Sequence, residues 1–109
     1  MPQALLIGTD GEGELREVAA EGVRQLVGGW LEEIGLGDTV GFCDDDAKRK
    51  GVPVNLGATM YARALGWRSG GPLRGPVLFV GRGEDGELVD LGTDALLVWQ
   101  TLTADDEPG

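Results

Sequence analysis

A fully apolar run at residues 76–80, Pro-Val-Leu-Phe-Val, is the sequence feature that most restricts the fold of this chain. A strand with one solvent-facing side alternates apolar and polar residues, whereas a strand covered on both faces is apolar throughout. The run therefore predicts a central strand of a sheet with other elements packed on both of its faces. The glycine-bounded segment 81–86 is expected to form the turn that follows.

Two further pairs of strand-like runs flank glycine-containing turns. Asp10-Gly11 separates the first pair and Gly37-Asp38 the second, and such dipeptides between apolar runs are typical of β-hairpins. An alternating run near the end of the chain predicts an outer strand. The predicted strands are residues 3–8, 14–19, 30–36, 39–43, 76–80 and 87–91.

Three segments have helical character. Residues 21–27 place apolar side chains at i, i+3 and i+4, and Gly28-Gly29 provides a stop. Residues 56–65 follow Asn55, a good helix N-cap, and their Leu56, Met60 and Ala64 are expected to face the core. A last helix is predicted at 94–102. Together these patterns predict one α+β domain over residues 1–103, with a mainly antiparallel sheet of about six strands, two or three short helices and an acidic, frayed tail at 104–109.

The composition excludes several kinds of active site. The 109 residues contain no histidine and a single cysteine, Cys43, so no serine or cysteine triad, histidine base or cysteine-rich zinc site is available within the chain. No apolar run reaches the roughly 20 residues that a membrane span needs. We therefore expect a cytoplasmic protein without a cofactor, more suited to binding than to catalysis.

Charge is divided unevenly along the sequence. Residues 47–82, which we call the basic segment, hold seven of the nine basic residues and no acidic ones, while all 19 acidic residues lie in the flanks. A basic insert in a protein of net charge −10 is a candidate anion site.

Two groups within the basic segment are candidates for that site. Asn55 and Thr59 lie at a helix start just after three bases, an arrangement suited to a phosphate, although Asn55 has capping as its simpler role. The second group contains Trp67 and Arg68, which place an aromatic face and a guanidinium group beside a Gly-rich loop. For Trp67, anchoring that loop to the core is an equally favoured role. The candidate ligand-binding residues are Lys48, Arg49, Lys50, Asn55, Thr59, Arg63, Trp67 and Arg68.

Three other motifs favour structural roles. Asp44-Asp45-Asp46 has carboxylates that suit Mg²⁺ or Ca²⁺, but a charged strand end is favoured because consecutive strand residues point to opposite faces. Cys43 lies in an apolar strand followed by carboxylates, which predicts an unreactive core thiol. The segment 8–13 lacks the lysine of a phosphate-binding loop and is expected to be a turn.

The order of several short motifs resembles that of a known family. These motifs are Gln25-Leu-Val-Gly-Gly29, a Lys-Gly-x-Pro-x-Asn crossing at 50–55, Ala58-Thr59 and the apolar run bounded by Gly75 and Gly81. The chain resembles small domains of unknown function carried by bacteriophages, plasmids and other mobile elements, especially in actinobacteria. The family usually has an acidic residue, often in Glu-Gly, before the crossing, where this chain has Asp44-Asp45-Asp46-Ala47. The resemblance implies an origin in mobile elements, whose small non-enzymatic proteins often act against host defences.

Two functions are expected from these patterns. The first is capture of a small anionic ligand, such as a nucleotide immune signal of the host, by the basic segment. The alternative is an acidic decoy or inhibitor that uses the acidic flanks to bind a basic, DNA-binding host defence protein. Neither function requires direct binding of nucleic acid or a membrane, and both are compatible with a homo-oligomer. An enzyme that uses carboxylates and Mg²⁺ on a phosphoester is less favoured.

Overall fold

The computed structural model describes residues 1–68 and 70–104, which form six strands, one 3₁₀ turn and three α-helices. Ser69 and residues 105–109, with them nearly all of the predicted acidic tail, lie outside the described residues. The elements in chain order are β1 (Gln3–Ile7), β2 (Gly13–Glu17), the 3₁₀ turn (Ala20–Gly22), α1 (Val23–Val27), β3 (Leu31–Leu36), β4 (Thr39–Asp44), α2 (Leu56–Ala64), β5 (Val77–Arg82), β6 (Leu88–Val89) and α3 (Thr93–Ala104).

All strands of the described chain belong to one open antiparallel sheet with the order β2-β1-β5-β4-β3. The short β6 pairs with the end of β5, where Gly81 lies opposite Val89. The hairpins β1–β2 and β3–β4 lie on opposite sides of β5, and Phe79 of β5 pairs with Leu5 on one side and with Gly41 on the other. The α+β fold, the antiparallel sheet and the central position of the apolar run are therefore confirmed.

The central strand divides the core into two layers. Val77 and Phe79 point to the face covered by α2 and α3, while Leu78 and Val80 point to the face covered by α1. All four side chains are 0% exposed, as the apolar pattern predicted. At about 25 cal/mol per Å² of apolar surface, burial of these side chains on both faces makes β5 a large contributor to hydrophobic stabilisation.

Tyr61 connects α2 and α3 to the sheet. Its ring lies 4.7 Å from the ring of Phe79 and 5.6 Å from that of Trp99, measured between centroids, and both contacts are edge-to-face. The hydroxyl group donates a hydrogen bond of 2.7 Å to the carbonyl oxygen of Ala95 in α3. Burial raises the pKa of Tyr61 to about 12, so the hydroxyl remains a donor at neutral pH.

The predicted core face of α2 is wrong. Leu56 is 65% exposed and Met60 51% exposed, and Ala64 is exposed as well. The buried face carries Ala58, Thr59, Tyr61 and Ala62 instead. These residues have the same helical spacing, and two of them are alanines that let α2 lie close to the sheet. Spacing alone allowed both faces, and the packing of Tyr61 together with the Asn55 contacts described below decides between them.

Element boundaries otherwise follow the predictions to within a few residues. Gly28, with φ of 96°, ends α1, and Gly66, with φ of 107°, follows α2, so both predicted stops are confirmed. The predicted turn at 81–86 begins later, because Gly81 and Arg82 still pair as part of β5. No helix within the described residues is long and apolar enough to span a membrane.

Candidate functional site

Asn55 is buried and joins three separate segments of the chain. Its Oδ1 accepts a hydrogen bond of 2.9 Å from the amide of Ala58, which caps α2. Its Nδ2 donates to the carbonyl oxygens of Ile7 and Gly75, both at 2.8 Å. The capping role is confirmed, and a side chain that is 0% exposed with both polar atoms bonded internally has no free group for a ligand.

Thr59 continues this arrangement. Its hydroxyl donates to the carbonyl oxygen of Asn55 at 2.7 Å and accepts from the amide of Leu73 at 2.9 Å. The amide of Asn55 in turn donates to the carbonyl oxygen of Leu73 at 2.8 Å. We call these two side chains and their partners the Asn55 clamp. It holds the start of α2 against the ends of β1 and of the loop that leads to β5.

Two of the three bases before the crossing pair with the acidic end of β4. Lys50 forms a salt bridge of 2.5 Å with the buried Asp44, and Arg49 forms an ion pair with Asp46. Burial works against ionisation of Asp44, but hydrogen bonds from Lys50 and from the amide of Asp46 outweigh it and lower the pKa of Asp44. Arg49 likewise lowers the pKa of Asp46. The favoured role of this acidic run as a charged strand end is confirmed, and much of the local positive charge is neutralised there.

Arg63, Trp67 and Arg68 lie together just after α2. The guanidinium carbon of Arg63 lies 4.9 Å from the centroid of the Trp67 ring, and its nitrogens donate to the carbonyl oxygens of Trp67 and Gly70. Arg68 donates to the carbonyl oxygen of Arg63 at 3.4 Å. Trp67 packs against the core cluster under α2, which supports its predicted role as an anchor of the loop.

The eight predicted site residues thus fall into three separate places. Asn55 and Thr59 are buried in the clamp, and the bases at 48–50 lie beside the end of β4. Arg63, Trp67 and Arg68 form the third group. The remaining bases of the basic segment are also apart: Arg74 donates to the carbonyl oxygen of Val52, and Arg82 pairs with Glu33 at 2.6 Å.

A groove that the sequence did not reveal runs along β3. It has a volume of about 570 Å³, and we call it the β3 groove. One wall consists of four consecutive residues of β3, from Glu32 to Gly35, and the other of Trp67 and residues 70–73. A smaller cleft of about 250 Å³ continues from it, since Glu32 and residues 71–73 line both. This cleft adds Asp44 and Asp45 on one side and Lys48 and Arg74 on the other.

The β3 groove lies at a free edge of the sheet. β3 is the last strand in the order, and β4 is its only neighbour among the described strands. The amide of Asp45 donates to the carbonyl oxygen of Trp30, which makes residues 30 and 45 a hydrogen-bonded pair of the antiparallel ladder. Such pairs alternate along a ladder, so Glu32 and Ile34 bond to β4 while Leu31, Glu33 and Gly35 direct their backbone groups outward.

Glu32 and Glu33 are the groove residues that sequence reasoning missed. Both are exposed, and adjacent charges within a strand are a known signal of a sheet edge. The two adjacent glutamates are visible in the sequence, but the sequence does not show that the Gly-rich loop lies beside β3.

Cys43 lines the smaller cleft from its buried position in β4. Burial, together with the carboxylate of Glu32, raises the pKa of the Cys43 thiol to about 12. The predicted core role is confirmed. Within residues 1–68 and 70–104, no three acidic, histidine or cysteine side chains are placed to hold a metal ion.

A comparison with protein-family models matches residues 2–102 to DUF3846, a domain of unknown function. This chain belongs to the DUF3846 family. The match spans every strand of the sheet and nearly all of α3, so the groove and the Asn55 clamp are parts of the DUF3846 domain. Searches of the curated proteins and of the solved structures gave no match to this chain.

Proposed function

We propose that this DUF3846 domain is a binding protein that takes a basic, extended segment of a partner protein into the β3 groove. The observation that supports this proposal is the position of Glu32 and Glu33 on a sheet edge that borders a groove of about 570 Å³. An extended peptide that adds to such an edge gains main-chain hydrogen bonds, and pockets for alternate side chains give it specificity.

The backbone of β3 is arranged for strand addition. Leu31, Glu33 and Gly35 each present an outward amide and carbonyl group, which is what an incoming strand needs to extend the sheet. Side chains of the incoming strand on the α2 side would enter the groove between Glu32 and the wall formed by Trp67 and Pro72.

Charge favours a basic segment over an acidic one. Glu32 is an exposed carboxylate on the groove and Asp45 lines the adjoining cleft, whereas Glu33 is already paired with Arg82 and Asp44 with Lys50. The net charge of −10 adds a long-range attraction that accelerates encounter with a cationic partner. This proposal is the specific form of the acidic inhibitor expected from the sequence. The resemblance to mobile-element proteins supports a basic, DNA-binding host defence protein in the cytoplasm as the partner.

Titration calorimetry with two synthetic ten-residue peptides tests this proposal, one alternating arginine and valine and the other alternating glutamate and valine. The basic peptide is expected to bind and the acidic one not to bind. Glu32→Gln should weaken binding about threefold, as expected for one exposed ion pair at low salt. Glu84→Gln, which removes an exposed carboxylate from the β5–β6 turn, is the matched control and should leave the affinity unchanged.

A second variant separates strand addition from simple charge attraction. Gly35 has its amide directed outward, so Gly35→Pro removes a donor that the fold itself does not use. Loss of peptide binding with an unchanged circular dichroism spectrum is expected. Equal binding by Gly35→Pro and the parent, or equal weakening by Glu84→Gln, would refute a site at the β3 edge.

The second candidate function is capture of a nucleotide-like anion, and the meeting of Arg63, Trp67 and Arg68 is the observation that favours it. Arg68 is exposed, and Trp67 offers an aromatic ring for stacking beside it. Calorimetry with ATP and with a cyclic dinucleotide tests this function. Arg68→Gln should abolish binding of either compound without changing the melting temperature, because within the described part of the chain the exposed Arg68 side chain has a single long hydrogen bond, of 3.4 Å, to a backbone carbonyl.

A further inference from the structure

We infer that β2, at the opposite edge of the sheet from β3, pairs with β2 of a second copy of this chain to form a symmetric dimer. β2 is the first strand in the order, and β1 is its only neighbour among the described strands. All five of its residues, Gly13 to Glu17, are exposed. The proposal concerns a different edge from the β3 groove and does not depend on it.

Hydrogen bonds at both ends of the β1–β2 hairpin show which groups point outward. The amide of Val18 donates to the carbonyl oxygen of Pro2, and the amide of Gly8 donates to that of Glu12. Hydrogen-bonded pairs alternate along the ladder, so Glu14 and Arg16 bond to β1. Gly13, Leu15 and Glu17 therefore direct their amide and carbonyl groups to the free edge.

The charges of β2 select one register for two copies. With Leu15 opposite Leu15 of the second copy, Gly13 lies opposite Glu17, and each such pair exchanges backbone hydrogen bonds. In the same register Glu14 lies opposite Arg16 in a non-hydrogen-bonded pair, where side chains come closest. The two-fold axis repeats this contact, so both charge pairs are complementary.

Neighbouring registers are unfavourable. The outward groups allow shifts that place Glu14 opposite Glu14 or Arg16 opposite Arg16, and like charges directly opposite one another are destabilising. In each monomer Glu14 and Arg16 contact each other at 3.3 Å on an exposed surface, and the dimer exchanges these two weak pairs, one in each chain, for two intermolecular pairs.

β3 does not offer the same match. Its sequence from Leu31 to Leu36 contains two glutamates and no base, so no antiparallel register of two β3 strands forms a charge pair. Of these two edges, the β2 edge is therefore the one whose charge pattern is complementary to a second copy of the chain.

The size of the contact sets the strength of the dimer. An edge of five residues buries far less than the roughly 800 Å² per partner of a standard interface, so the expected dissociation constant is on the order of 100 µM. Sedimentation equilibrium over about 10 µM to 1 mM, at about 0.15 M salt so that the repulsion between two chains of net charge −10 is screened, covers this range.

Charge variants of β2 test the register. Arg16→Glu replaces both complementary pairs by glutamate pairs and should weaken association at least tenfold. Arg24→Glu, an exposed change of the same charge outside β2, controls for net charge and should weaken it less than threefold. The double variant Glu14→Arg, Arg16→Glu restores complementary pairs in reversed order and should dimerise like the parent. Circular dichroism confirms that each variant is folded.

Amide exchange provides a second readout. As concentration rises, the amides of Gly13, Leu15 and Glu17 should become protected, while those of Glu14 and Arg16, already bonded to β1, should change little. A parent chain that is monomeric up to 1 mM, equal association by Arg16→Glu, protection of the even-numbered amides instead, or species larger than a dimer would each overturn the inference.

Discussion

Replacement of Asn55 by alanine is expected to remove a large part of the stability of this domain. The change deletes three hydrogen bonds at once, two donated by Nδ2 to Ile7 and Gly75 and one accepted from the amide of Ala58. It also leaves the buried amide of Ala58 and the carbonyl group of Gly75 without the Asn55 partner, whereas the carbonyl group of Ile7 still pairs with Val77 in the β1–β5 ladder.

The magnitude follows from the three contacts. Loss of an asparagine N-cap costs about 1 kcal/mol. The Gly75 carbonyl group left without its partner adds about 1–2 kcal/mol, and loss of the second bond to the Ile7 carbonyl group adds about 1 kcal/mol. The expected loss is therefore about 3–4 kcal/mol, against a total of roughly 5–15 kcal/mol for a domain.

Urea unfolding followed by circular dichroism measures this loss. Asn55→Asp provides a second, independent check, because its Oδ1 still caps α2 while its second oxygen faces the two carbonyl oxygens that Nδ2 bonded. It should be at least as destabilising as the alanine variant at neutral pH and recover part of the loss when protonated at low pH. Gln25→Ala, on the exposed side of α1, is the control and should cost less than about 0.5 kcal/mol. A loss below 1 kcal/mol for Asn55→Ala would refute the structural role assigned to this residue.

Three further predictions concern single groups. Thr59→Val leaves the buried amide of Leu73 unpaired and should lower the free energy of unfolding by about 1–3 kcal/mol, whereas Thr59→Ser should stay within 1 kcal/mol of the parent in the same urea experiment. Lys50 helps to hold the pKa of Asp44 below its ordinary value, so their salt bridge stabilises the fold above about pH 4, and this stabilisation is lost as the pH falls through the lowered pKa. Asp44→Asn removes the titrating group, so the melting temperature of this variant should fall less steeply than that of the parent as the pH is lowered. Cys43, with its pKa raised to about 12, should resist alkylation by iodoacetamide at pH 8 in the folded protein and react rapidly in urea.

Features that depend on neighbours in the sequence were predictable. The run that forms β5 is recognised because it is apolar without alternation. The glycines that end α1 and α2 act through their own backbone conformation, so both features can be read directly from the sequence. Asn55 was likewise recognised as a cap, since a cap bonds to a residue three positions away.

Features that depend on contacts between residues far apart in the sequence were not predictable. Leu56 and Met60 have the spacing of a core stripe, but they face outward, because Tyr61 and its neighbours pack in the core while Asn55 bonds to Ile7 and Gly75. The helix has two faces with suitable spacing, and contacts with distant residues decide between them. The basic segment looked like one site because its bases are close in sequence, whereas the acidic end of β4 neutralises Lys50 and Arg49 in the folded chain.

The central position of β5 also sets the order in which the domain can fold. Each hairpin, β1–β2 and β3–β4, is local, but neither pairs with the other, and both reach the sheet only through β5. During synthesis the ribosome must release residue 82 before the strands can assemble, and closure of Leu5 onto Phe79 carries the entropy cost of a long loop. Nascent chains that end before Val77 therefore hold two unconnected hairpins with apolar faces exposed, and such surfaces are the ones through which incomplete chains associate.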